Sequence, residues 1–204
     1  MPGNWDRLNT RAIYPATHEL GIPDLPAATD VPARLVGYNS RHGCENAQPG
    51  DCIHFFLDDY RFEVVWNKPE RGLSRPARVG MSLTPDFSLW REMPPVMQQW
   101  QVYRSRWCGL WMLDHGVKVI PTISWSDEAS YTYAFAGIAP QSVVAIATVG
   151  VKPGSYDMFG RGLQVMMNML EPKAVLVYGR RLPVVDDLQG FADVVYYPSR
   201  WEKT

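Results

Sequence analysis

Apolar residues in this chain come in short, nearly continuous runs separated by longer segments of helical period. The runs are Arg34 to Tyr38, Cys52 to Leu57, Arg78 to Leu83, Val117 to Ile123, Ser142 to Val149, Ala174 to Tyr178 and Asp193 to Tyr197. Each is rich in Val, Ile and aromatics and lacks alternation, which predicts strands buried on both faces of a parallel sheet. Between them, Val96, Trp100, Tyr103, Trp107, Leu110 and Trp111 repeat at helical spacing from Met93 to His115, with Pro94 and Pro95 in the first turn and Gly116 as the stop. A second helix spans Tyr156 to Leu170, with Phe159, Leu163, Met166, Met167 and Leu170 on one stripe, Ser155 as N-cap and Pro172 beyond its end. Shorter helices are expected within Arg61 to Leu73 and Trp125 to Gly137.

Strand alternating with helix predicts an α/β protein, mainly a parallel sheet of about seven strands with helical crossovers. Two architectures obey that grammar: a trimmed (βα) barrel and an open doubly wound sheet. A full eightfold barrel takes about 250 residues, and this chain has 204. Met1 to Pro32 holds five prolines and no clean period, so the division expected is an extended arm over residues 1–32 and a single α/β domain over 33–204.

Both architectures gather ligands at the carboxyl ends of the strands, where loops converge and helix N-termini point. The residues just past the strands are therefore the candidate site. They include Asp58 and Asp59, then Asp86 and Ser88, then Ser124 and Trp125, then Thr148, and finally Tyr178. Asp86 stands out because Pro85 holds the backbone extended before it. The roles expected are Asp86 as general base or metal ligand, and Asp58 or Asp59 as its acidic partner. Trp125 would be a stacking wall, with Ser88, Thr148 and Tyr178 as further ligand contacts. Each residue taken alone also suits an ordinary turn or cap. The acids leave room for a divalent cation as cofactor.

Arg104 falls at roughly +40° from Trp100 on the helical wheel and so lies on the apolar stripe. A buried guanidinium needs a carboxylate or an anionic ligand. Arg104 is thus either the clamp for an anion or one half of a salt bridge to a strand-end Asp. Arg106, at roughly −120°, falls off the stripe and is expected to be solvated.

Charge and composition remove several classes. With 20 Lys+Arg against 21 Asp+Glu the net charge is -1, and 46% of residues are hydrophobic. Such a balance excludes disorder and argues against a general nucleic-acid binder, for which Arg71, Arg75, Arg78, Arg180 and Arg181 are the local basic supply. No run approaches the ~20 apolar residues of a membrane span, and the first fifteen residues lack the apolar core of a secretory signal. Three cysteines fit reduced thiols, so a cytoplasmic setting is expected. The spacing of Cys44, Cys52 and His54 matches no compact zinc pattern. Gly150 to Ser155 opens a helix and is a candidate anion cradle without phosphate-loop spacing.

One ordered set of blocks carries a resemblance: His54-Phe55-Phe56-Leu57-Asp58-Asp59-Tyr60-Arg61-Phe62, Trp66-Asn67-Lys68-Pro69-Glu70, Thr84-Pro85-Asp86-Phe87-Ser88, Tyr103-Arg104-Ser105-Arg106, Val119-Ile120-Pro121, Ser124-Trp125, Gly137-Ile138, Ser142-Val143-Val144-Ala145, Thr148-Val149-Gly150 and Tyr178-Gly179. The series resembles the family catalogued as domain of unknown function 4417, from about His54 to Gly179, with the arm and the tail after Arg180 outside it. The resemblance implies a phage or mobile-element origin and a cytoplasmic setting in a bacterial cell. Two functions follow as expectations. One is an enzyme acting on a phosphorylated small molecule, a nucleotide or a nucleic-acid end. The other is a non-catalytic phage effector that binds a host protein through exposed aromatic anchors.

Overall fold

Every expected apolar run yields a strand. The computed structural model describes residues 6–199, in which β1 is Arg34–Gly37, β2 Asp51–His54, β3 Met81–Leu83, β4 Lys118–Ile120, β5 Val143–Ala147, β6 Ala174–Tyr178 and β7 Asp193–Tyr197. The helices are α1 (Arg41–Glu45), α2 (Val64–Asn67), α3 (Pro69–Gly72), α4 (Ser74–Val79), α5 (Pro95–Asp114), α6 (Tyr131–Ala134), α7 (Tyr156–Leu170) and α8 (Pro183–Asp186). Residues 1–5 of the expected arm lie outside the described residues.

All strand ladders are parallel, but they form two sheets, β1-β2-β3-β4 and β5-β6-β7. A parallel bridge between Thr122 and Ala145 joins them, with Ile123 N–H donating to the Ala145 carbonyl at 2.8 Å. Strand order therefore follows chain order without reversal. A doubly wound sheet reverses at its switch point, so the trimmed barrel is the architecture adopted. Its interior is a single cluster in which Cys52, Leu83, Ile120, Ala145, Leu176 and Tyr197 meet, one from each of six strands. A flat sheet does not bring strands as far apart as β2 and β7 into one core.

The outer faces take the helices. Ile53 and Val119 pack with Trp107, Cys108 and Met112 of α5. Val144, Ile146, Val175 and Val177 pack with Phe159, Leu163 and Met166 of α7. α7 ends where Glu171 turns left-handed at φ 43° and donates its N–H to the Met167 carbonyl. Ser155 precedes α7 but its side chain makes no capping bond, a departure from the expected N-cap.

The segment before β1 is stitched to the barrel from several sides. The Ala12 carbonyl accepts the Trp107 indole N–H at 2.7 Å, Leu25 bridges to Ile138, and the Ala28 N–H donates to Ser142 Oγ at 2.9 Å. Gly137 makes that crossing possible. It holds φ 71°, and a Cβ there would lie 2.1 Å from the Pro23 carbonyl oxygen. The Tyr197 hydroxyl donates to the Pro32 carbonyl at 2.6 Å, which sets β7 beside the entry to β1.

Candidate active site

The ends of β3 and β4 are tied together before they diverge into loops. Thr122 N–H donates to Thr84 Oγ1 at 2.9 Å, and Thr122 Oγ1 donates to the Thr84 carbonyl at 2.8 Å. From that anchor Pro85 leads directly to Asp86. Behind the two loops lies Arg106, 2% exposed, contrary to its expected solvated position. Its guanidinium donates to the carbonyls of Ala136, Thr122 and Ala134 at 3.0, 3.1 and 2.9 Å. The wheel placed Arg106 off one stripe, but α5 has a second buried face: Gln98, Val102, Ser105, Arg106, Gly109 and Met112. That repeat of small and polar residues is a signal the single apolar stripe obscured. Burial pulls the Arg106 pKa down to about 10, and the Asp86 charge opposes the shift.

Asp86 faces a cavity of about 290 Å³ formed by the loops after β3, β4 and β5 and by α7. Its carboxylate accepts a short hydrogen bond from Ser124 Oγ. Burial pushes the Asp86 pKa up to about 7; the Ser124 bond opposes this, the Asp59 charge adds to it and Arg106 opposes it. A carboxyl that titrates near neutrality is able to give or take a proton under ordinary conditions.

The cavity wall is aromatic. Trp90, Trp125 and Phe159 line it, with Ser88, Ser124 and Val149 between them. Trp125 stacks on Phe159, with ring centroids 5.2 Å apart and planes at 27°. Gly162 permits that pose, since a Cβ there would stand 2.1 Å from Trp125 Nε1. Trp90 is 64% exposed and stands at the opening.

The other expected residues distribute as follows. Asp59 sits behind Ser88, accepting its N–H at 3.2 Å and its hydroxyl at 2.8 Å, so it braces the loop that carries Asp86. Gln101 reaches the same carboxylate at 3.5 Å and accepts from Arg104 Nε at 3.0 Å. Arg104 pairs with Glu63 at 3.0 Å and lies 3.8 Å over the Phe87 ring; its partner is this glutamate and not a strand-end Asp. Asp58 is exposed and pairs with Arg61 at 3.1 Å. Thr148 is buried, its hydroxyl donating to the Arg180 carbonyl at 2.7 Å. Tyr178 lies within the barrel end against Phe56 and His54, with ring centroids 5.0 and 4.4 Å away.

The fold thus brings Asp86, Ser88 and Trp125 to one cavity and Asp59 to its edge. It keeps Asp58, Thr148 and Tyr178 elsewhere, and Arg104 two side chains back. Ser124, Trp90 and Phe159 also line it. Cys44 and Cys52 belong to separate cores. Among the described residues no group of three or more His, Cys, Asp or Glu side chains is placed to hold a metal ion, and no helix is long and apolar enough to cross a membrane.

The family model described as domain of unknown function (DUF4417) matches residues 14–197. That span takes in most of the N-terminal segment and the tail after Arg180, both expected to lie outside the family. The "Gene 1 protein" of Mycobacterium phage D29 is 43% identical over 100% of this chain and 76% of its own length. The "Gene 1 protein" of Mycobacterium phage L5 is 42% identical over 100% of this chain and 89% of its own length. No solved structure matches.

Proposed function

Because the chain belongs to the domain of unknown function 4417 family, with mycobacteriophage proteins as relatives, we propose that it is a phage enzyme of the bacterial cytoplasm whose substrate carries a planar ring. A nucleotide or a nucleic-acid end is the class that fits best. The observation that carries this reading is Asp86, its pKa raised to about 7, facing a cavity walled by Trp90, Trp125 and Phe159. Aromatic walls suit a base, since stacking contributes about 1–3 kcal/mol per base. Asp86 exchanges a proton with the bound ring, Ser124 orients the carboxyl, and Asp59 holds Ser88 and the loop in place. Arg104, engaged by Glu63 and Gln101, serves as a support for that loop.

The test is titration of the protein with the common nucleosides, followed by tryptophan fluorescence and calorimetry at pH 6 and pH 8. Saturable binding that changes across neutrality, and loses this pH dependence in Asp86→Asn, supports the reading. Binding indifferent to pH, or none at all, overturns it. A second reading, a non-catalytic effector that binds a host protein, draws on the exposed Trp90, Val96, Met97 and Trp100 around the start of α5.

A further inference from the structure

We infer that the rim of this cavity, formed by Arg91, Lys152 and Arg180, is the seat of a phosphate group carried by the ring-bearing ligand. The inference rests on the reading above and moves the anion contact away from Arg104, whose charge Glu63 already meets.

Among the described residues no Lys or Arg lines the cavity; its polar lining is Asp86, Ser88 and Ser124. A phosphate dianion placed inside would face the Asp86 carboxyl in a desolvated space. The charged end of a ligand must therefore lie at the opening. Three cations adjoin residues of the cavity wall, brought by the loops after β3, β5 and β6. Arg91 follows Trp90, a wall residue, and among the described residues its guanidinium makes one hydrogen bond, to Met158 Sδ at 3.0 Å, next to the wall residue Phe159. Lys152 follows the wall residue Val151 and is exposed. Arg180 donates to the Val151 carbonyl at 2.5 Å and lies 5.8 Å over the Tyr156 ring.

Among the described residues none of the three is in an ion pair, whereas Arg61, Arg104, Arg161 and Arg181 all are. Glu92 and Asp157 adjoin them in sequence without pairing to them. A thioether is a weak acceptor and a guanidinium has five donors, so most of the Arg91 fork is open to a ligand. Two guanidinium forks and an ammonium match the three terminal oxygens of a phosphomonoester. The cavity volume is at the small end for ligand sites, about 300–1,000 Å³, which suits one nucleoside and excludes a stacked run of bases.

The experiment is calorimetry of the wild-type protein with the nucleoside 5′-monophosphates, the matching nucleosides and a short DNA strand with and without a 5′-phosphate. The same set is run on Arg91→Gln/Arg180→Gln, two exposed substitutions whose effect on folding is checked by thermal melting. The expected result is that a 5′-monophosphate binds at least about tenfold more tightly than its nucleoside. The double variant should erase that gap and keep the nucleoside affinity. Preference for the free monophosphate identifies a mononucleotide, and preference for the phosphorylated strand identifies a nucleic-acid end; either supports the seat. Equal affinity for nucleoside and monophosphate, or a gap that survives in the double variant, overturns the seat and leaves the ring site standing. Binding of none of these probes overturns both.

Discussion

Helix α7 buries Phe159, Leu163, Met166, Met167 and Leu170 along one stripe and leaves Arg161, Gln164 and Asn168 outside it, whereas α5 buries Gln98, Arg104, Ser105 and Arg106 together with Trp107 and Met112. Both helices cover the same barrel, so the contrast is one of task. α7 lies against the apolar outer faces of β5 and β6, and transfer of methyl and methylene groups out of water is sufficient to fix it. α5 lies behind the loops after β3 and β4, whose carbonyls and hydroxyls have left the sheet ladder and need donors. Its polar residues supply them. Gln98 alone donates to the Trp90 and Met93 carbonyls and accepts from Ser126 and Tyr133. A helix that buries charge on one face and aromatics on another marks where a fold spends stability on holding a site.

The largest test of that contrast is Arg106→Met. It strips three carbonyls, two of them buried, of a donor while keeping much of the side-chain volume. At about 1–3 kcal/mol for each of the two buried acceptors left unsatisfied, the expected loss is about 2–6 kcal/mol in a urea unfolding experiment. It should also raise the Asp86 pKa further, since Arg106 is the positive charge opposing that shift. A truncation on α7 such as Leu163→Ala lies in the same range of destabilisation, about 2–5 kcal/mol, but is expected to leave the Asp86 titration unmoved. Loss below about 1 kcal/mol for Arg106→Met would mean that the loops stand without α5.

The same contrast accounts for what the sequence made legible. Seven strands and the bounds of α7 follow from apolar runs and a clean period, because those elements are held by burial alone. A wheel centred on Trp100 allows one buried face and α5 has two, so Arg106 reads as solvated in the sequence and is buried in the fold. Thr148 and Tyr178 stand at strand ends, yet Thr148 turns its hydroxyl to the Arg180 carbonyl and Tyr178 faces into the barrel. Position past a strand selects candidates, and side-chain direction decides among them. Phe159 comes to the cavity from a helix far from Asp86 in sequence, and Trp90 stands two residues past Ser88, beyond the residues directly at the strand end.

A smaller effect sharpens the role of Asp86. Its folded pKa, about 7, exceeds the ordinary 3.8, so between about pH 4 and pH 7 the folded chain binds more protons than the unfolded one. Stability then falls as pH rises through that window. Asp86→Asn removes the slope while preserving an acceptor for Ser124. The variant should match the parent near pH 3.5 and exceed it by about 2 kcal/mol at pH 8, a value discounted from ~1.4 kcal/mol per pH unit because the cavity admits water. Parallel stability curves for the two proteins would show that Asp86 titrates normally.

The least effect is expected from Arg104→Met, which separates the two arginines of α5. Arg104 lies over Phe87 and pairs with Glu63, and the two side chains are 9% and 32% exposed. Methionine retains packing against the ring, and Glu63, with a third of its surface in water, rehydrates when its partner is gone. The loss should therefore be about 1–2 kcal/mol, below the ~3–5 kcal/mol of a fully desolvated pair. Gln101 loses the guanidinium it accepts from but keeps its reach to Asp59 and the Ser88 carbonyl, so nucleoside affinity should change less than in Asp86→Asn. A loss as large as that of Arg106→Met would make Arg104 an equal part of the scaffold. A collapse of ligand binding without a change in the unfolding midpoint would instead return Arg104 to the cavity as an anion clamp.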